Sequence, residues 1–166
     1  MRLLAVVCPS GLGHYRRTVG ILRRVVDRVP AVTISIACCG WQIERLKAEL
    51  EPFPRWHEVV EYITHVTEPG VHWSAEPDVY DDGRLLGWEE RLAGIDIRRY
   101  DVVVSDNLAG VLSHRSDAVL AGSFLWSDVL AVAYPDHPQV RAFVGRERRL
   151  LAEHRPHMIC VDALAM

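Results

Sequence analysis

Four stretches of this 166-residue chain are apolar with few interruptions and only seven to nine residues long: RLLAVVC (2–8), AVTISIACC (31–39), YDVVVSD (100–106) and PHMICVDA (156–163). A strand that alternates apolar and polar residues can leave one face in water. A strand apolar throughout must be covered on both faces. Between these stretches lie segments with apolar residues at three- and four-residue steps. In the first, Tyr15, Val19, Leu22, Val26 and Val29 share one side, and Arg16, Arg17, Arg23, Arg24 and Arg28 mostly occupy the other. That is an amphipathic helix ending near Pro30. Strand and helix in alternation predict an α/β fold, a Rossmann-like αβα sandwich around a mostly parallel sheet of at least five strands.

The remaining elements follow the same logic. WQIERLKAEL (41–50) reads as a helix stopped by Pro52 and Pro54, and WHEVVEYI (56–63) as a third strand. A helical pattern runs from Leu85 to Arg99. LAGVLSHRS is a short helix, DAVLAGS a short strand, FLWSDVLAVAY a turn into a helix, and residues 137–155 a long helix. The polar stretch 64–83 is long for a compact domain, and residues 66–84 are expected to be the most mobile part, or to be ordered only by contacts with a ligand or partner.

Length is that of a single domain, 1–166. With 49% apolar and 25% charged residues, a globular core is within reach. A net charge of -3 gives no field for nucleic acid. The four cysteines form no disulfide framework and read as buried reduced thiols, which suits a cytoplasmic chain. LLAVV after Arg2 is too short for a signal peptide or a membrane span.

In an open α/β sheet, ligands bind outside the carboxyl ends of the strands. That rule selects the loops 9–14, 106–110 and 122–128. The first reads CPSGLGHYRRT. It lacks the Gly-Lys-Ser/Thr ending of a phosphate loop and the third glycine of a dinucleotide fingerprint. Gly11 and Gly13 would allow a tight turn. His14 would either cap the helix N-terminus or act chemically. Asp106, at the end of YDVVVSD, would cap LAGVL, partner His14, or both. A carboxylate beside an imidazole selects its tautomer and favours its charged form, as a general base requires.

GLGH after the first strand, YDVVVSD and SFLWSDVLAVAY resemble the N-terminal half of GT-B glycosyltransferases. The likeness is to the UDP-glycosyltransferases and the peptidoglycan N-acetylglucosaminyltransferase. It implies two Rossmann-like domains, of which this chain would be the acceptor-binding one, with the donor-binding domain lying outside it. It implies a nucleotide-sugar cosubstrate, no metal, and a small-molecule or glycan acceptor. A lipid acceptor would bring the domain to a membrane surface. His14 would be the general base and Asp106 its partner. Ser10, Gly11, Gly13, Asn107, Trp126 and Asp128 would bind substrate. A related nucleotide-sugar hydrolase or epimerase is the alternative, and a non-catalytic binding domain a further one.

Other candidates are weaker. HEVVE at His57 lacks the second histidine of a zinc helix, and His154 and His157 flank Pro156, so no metal site is expected. Arg16 and Arg17 stand in the first helical turn, where the macrodipole disfavours cations. They read as a solvated face rather than an anion site. Trp73, Trp88 and Trp126 stand apart from Trp41 and Trp56; Trp126 and Trp73 either join the core or stack on a sugar or a flat aglycone.

Overall fold

The computed structural model describes residues 1–64 and 91–160. Within them, six strands form one all-parallel sheet: β1 (Arg2–Val7), β2 (Thr33–Ala37), β3 (Val60–Ile63), β4 (Val102–Asp106), β5 (Val119–Gly122) and β6 (Met158–Cys160). Their spatial order is β3-β2-β1-β4-β5-β6. The chain winds outward from β1 in one direction, then returns to β4 and winds outward in the other. The order therefore reverses between β1 and β4, and a crevice opens there at the carboxyl ends of the strands. Val7 pairs with Asp106 in that register.

Alternation along β1 distributes its side chains to two cores. Leu3, Ala5 and Val7 join Ile34, Ile36 and Cys38 of β2 and its flank beneath α1 (Leu12–Arg28), with Tyr15, Val19, Leu22 and Val26. Leu4, Val6 and Cys8 join Val103, Leu120, Leu130 and Phe143 on the other face. The helices there are α4 (Trp126–Ala133) and α5 (Pro138–His154). Helices cover both faces, which is why the strands have no polar side to show.

The helix α2 (Gly40–Leu50) matters for the site. Its buried Gln42 accepts a hydrogen bond from Cys39 N at 3.0 Å. Through Nε2 it donates to the carbonyls of Cys8, at 3.1 Å, and Gly11, at 2.9 Å. One side chain thus ties the first loop to the second helix.

Four expectations are corrected. Residues 56–59 are helical, in α3 (Pro54–Val59), and only 60–63 form a strand. Pro54 in the first turn suits a helix start, and that turn drives Trp56 into the core, where its indole donates to Tyr62 Oη at 3.0 Å. Of the helix expected over Leu85–Arg99, residues 85–90 lie outside the described residues, and 92–99 form two 3₁₀ turns, Leu92–Gly94 and Ile97–Arg99. Leu92, Ile95, Ile97 and Tyr100 reach one core without an α-helical period. LAGVLSHRS does form a short helix, a 3₁₀ segment over Ala109–Ser113, but Leu108 rather than Asp106 stands at its cap. Finally β6 is an edge strand with Met158, Ile159 and Cys160 exposed, so Cys160 is not a buried thiol. Residues 66–84, Trp73 and Trp88 lie outside the described residues.

Candidate functional site

His14 occupies the first turn of α1, and its side chain does not cap that helix. Gly11 precedes the helix in extended backbone. A Cβ at Gly11 would touch only His14 Cδ2, at 3.8 Å, and one at Gly13 would meet nothing within 4 Å. The described chain's own packing therefore does not demand either glycine. They leave the outer side of the loop bare.

His14 and Asp106 meet at the crevice, Nδ1 to Oδ1 at 2.6 Å. Asp106 is 1% exposed and needs donors for both oxygens. Arg17 supplies them. Its Nε donates to Oδ2 at 2.8 Å and its Nη2 to Oδ1 at 2.8 Å. The second Nη2 hydrogen goes to Asn107 Oδ1 at 2.9 Å, and Nη1 donates to Ser123 Oγ at 3.2 Å. Thr18 Oγ1 lies 2.9 Å from the His14 carbonyl and 3.3 Å from Asp106 Oδ2.

This inventory decides the tautomer. Both Nη2 hydrogens are committed, so the 3.2 Å approach of Nη2 to His14 Nδ1 is a close contact, not a donation. Two unprotonated acceptors would not sit 2.6 Å apart. Nδ1 therefore carries a proton and donates it to Asp106, and in the neutral ring Nε2 holds the lone pair. Nε2 has no partner among the described residues.

Arg17 corrects the sequence reading. Arg16 does lie on the exposed face, 2.5 Å from Glu49. Arg17 is 14% exposed and belongs to the site. The signal was present: His14, Arg17 and Thr18 stand at i, i+3 and i+4, which is one helix face. Only the depth of the crevice beside that face was missing.

Asn107 follows with a left-handed backbone, φ 57°. Its N–H bonds to Ala121 O at 2.8 Å, and Arg17 holds its side-chain oxygen. Gly122 is required there, because a Cβ would lie 2.1 Å from Asn107 Oδ1. The loops after β1, β4 and β5 are thereby knotted through a single guanidinium.

The aromatic expectation also changes. Trp126 is buried and offers no face to a ligand. Phe124, which the sequence reading passed over, is 38% exposed. Its ring stands edge-on to His14 at 5.9 Å and to Trp126 at 5.0 Å. The SFLWSD string held both aromatics, but only the fold shows which one faces outward. Ser10 is half-buried beside Cys8, whose thiol burial pushes up to about 11. Asp128 is exposed in the first turn of α4, 3.7 Å from Arg148. A cavity of about 480 Å³ adjoins this rim, with Asn107, Ser123, Phe124, Asp128 and Met158 in its wall.

Among the described residues no group of three or more His, Cys, Asp or Glu is placed to hold a metal ion, and no helix is long and apolar enough to cross a membrane.

No family model matches the sequence, and no curated protein sequence matches it. A solved structure described as the glycotransferase of kitacinnamycin superposes on 92% of this chain with a TM-score of 0.50. Sequence identity is 16%, and the likeness is therefore one of fold. This chain spans 40% of the length of that one. The fold is thus an all-parallel α/β sheet of the kind that makes up part of a glycosyltransferase.

Proposed function

We propose that residues 1–166 form the acceptor-binding domain of a GT-B glycosyltransferase, with His14 as general base. The observation that carries this reading is the 2.6 Å contact of His14 with Asp106 at the point where strand order reverses. There Nε2 takes the proton of an acceptor hydroxyl. The oxygen attacks the anomeric carbon of a nucleotide sugar, and the nucleoside diphosphate departs. Asp106 stabilises the imidazolium that forms. Gly11 and Gly13 admit a donor phosphate or acceptor to the loop backbone. Phe124 and the adjoining cavity offer an apolar wall to the acceptor. The second wall of the cleft, which would carry most donor contacts, belongs to a partner domain in this scheme, so this domain alone turns over slowly.

The test is product analysis. The full-length protein is incubated with a panel of nucleotide sugars and hydroxyl-bearing acceptors. Sugar joined to acceptor, with kcat collapsing in His14→Ala, is the expected result. Release of free sugar to water alone would replace this reading with a nucleotide-sugar hydrolase. Unchanged kcat in His14→Ala would remove His14 as the base.

A further inference from the structure

A buried carboxylate held only by a histidine favours the imidazolium strongly. That pull raises the basicity of the ring, but carried too far it leaves Nε2 protonated and unable to accept a proton. The site avoids that arrangement. Arg17 spans both oxygens of Asp106 and brings Nη2 to 3.2 Å from His14 Nδ1. A bidentate guanidinium is the strongest competitor available for a carboxylate.

We propose that Arg17 is a positioning residue for the His14 base: it holds Asp106 in the plane that fixes the imidazole tautomer, and it takes up part of the carboxylate's charge, which weakens the pull of Asp106 on a second ring proton. This rests on the reading of His14 as the base. It adds that the dyad is a triad in which Asp106 is shared. Two roles combine in one side chain. The grip on Asn107 and Ser123 keeps the three loops in register, and the grip on Asp106 moderates its pull on the ring.

Among the described residues, the other charged and titratable groups around the ring are few. Just past β1, Cys8 lies near Asp106 and Trp126, with its thiol pushed up to about 11 and hence neutral. The loop after β5 brings Ser123 and Phe124, and the loop after β4 brings Asn107. On α4, Trp126 approaches the ring, while Asp128 pairs with Arg148. On α1, Arg16 turns to Glu49. Asp106 and Arg17 are thus the opposed charges in contact with His14.

The sign of the effect separates this proposal from a purely structural role. In Arg17→Gln the full carboxylate charge acts on His14 alone, and a positive neighbour is gone. The pH at which the ring titrates then rises. If Arg17 only held the loops, its loss would loosen the His14–Asp106 contact, and that pH would fall or stay. The measurement is nitrogen-15 NMR of the imidazole in this chain across pH 5 to 9, which needs no substrate or second domain. It also reads the tautomer, with the neutral wild-type ring protonated at Nδ1. Arg17→Lys keeps the buried charges balanced should Arg17→Gln fail to fold. One ammonium cannot grip both oxygens, so Oδ1 is left to His14 and a smaller rise is expected. A fixed or falling titration in the folded variants overturns the proposal. A wild-type ring protonated at Nε2 overturns it as well. Neither result depends on the transfer assay, whose failure would instead remove the role of His14 as base.

Discussion

The sheet carries a polar cluster at each end, and both are built from an arginine, a carboxylate and a hydroxyl. At the carboxyl end Arg17, Asp106 and Thr18 surround His14. At the amino end Arg99 Nη2 donates to Tyr100 Oη at 2.7 Å, and Tyr100 donates to Ser35 Oγ at 2.9 Å. Ser35 in turn donates to Glu61. A cavity of about 400 Å³ lies there too, with Arg2, Ser35, Glu61, Arg99 and Tyr100 in its wall. By residue type the two ends are alike. They differ in exposure. Arg99 and Glu61 are 49% and 64% exposed and stand 3.6 Å apart, whereas Arg17 and Asp106 are 14% and 1% exposed and joined by two hydrogen bonds. Water screens the first pair, so it contributes little. The second lies where dielectric is low, and each charge depends on the other. A cavity and a handful of charges do not mark a site. Burial, a carboxylate bridged by a guanidinium and a place at the strand-order reversal set the carboxyl end apart.

The sharpest way to break this contrast is catalytic. In full-length enzyme, His14→Ala is expected to lower kcat by roughly 10²–10⁴-fold, since a general base acts in the transition state. Asp106→Asn should cost less, because the imidazole survives its loss of a partner. Substitutions of Arg99 or Glu61 should leave kcat near wild type. Steady-state rates from pH 5 to 9 decide it. If His14→Ala stayed active while Asp106→Asn was dead, the base would be Asp106.

Stability should divide the two ends next. Arg17→Met removes the guanidinium that bridges both oxygens of buried Asp106 and leaves it only His14 and Thr18 among the described residues, which costs about 3–5 kcal/mol. Arg99→Met should shift the thermal midpoint barely at all. Equilibrium urea unfolding of the two variants reads the difference, and equal losses would mean the ends are energetically alike.

Gly122→Ala probes the knot without touching a charge. The new methyl would collide with Asn107 Oδ1, and relief of such overpacking costs about 1–3 kcal/mol. Gly13→Ala, with open space at that position in the first turn of α1, should leave stability near wild type, since alanine has the higher helix propensity. A Gly122→Ala protein as stable as wild type would mean Asn107 is not held as described.

The smallest effect concerns Cys8 beneath the site. Burial raises its thiol from 9.0 to about 11, so between those values the unfolded chain releases its proton first. The unfolded state then binds fewer protons, and stability falls as pH rises from 9 toward 11. Cys8→Ala should flatten part of that slope in unfolding measured across the window. Cys160, being exposed, should alkylate well before Cys8 in the folded chain.

Much of the sheet could be read directly from residue patterns. Uninterrupted apolar runs at β1, β2 and β4 admit only strands covered twice, and the spacing of Tyr15, Val19, Leu22 and Val26 admits only a helix face. The residues of the dyad were legible as well, because strand ends and glycine-rich turns mark where a parallel sheet presents its loops. Local pattern failed where a side chain's environment came from distant sequence. Residues 56–59 turned helical because Pro54 opened a turn and Trp56 had a core to enter. The stretch 92–99 broke into 3₁₀ turns because its apolar residues answer to one wall of the core, not to a helical period. Arg17 shows the limit most plainly. Helical periodicity puts it on the face of His14, but periodicity carries no depth. Asp106, 89 residues later, converts an arginine that could have faced water into the buried link among three loops. The amino-acid order set which segments became strands and helices, since that choice depends on near neighbours. Which charges became buried, paired and oriented was decided by the tertiary structure, because desolvation is a property of the assembled surface and not of any one segment.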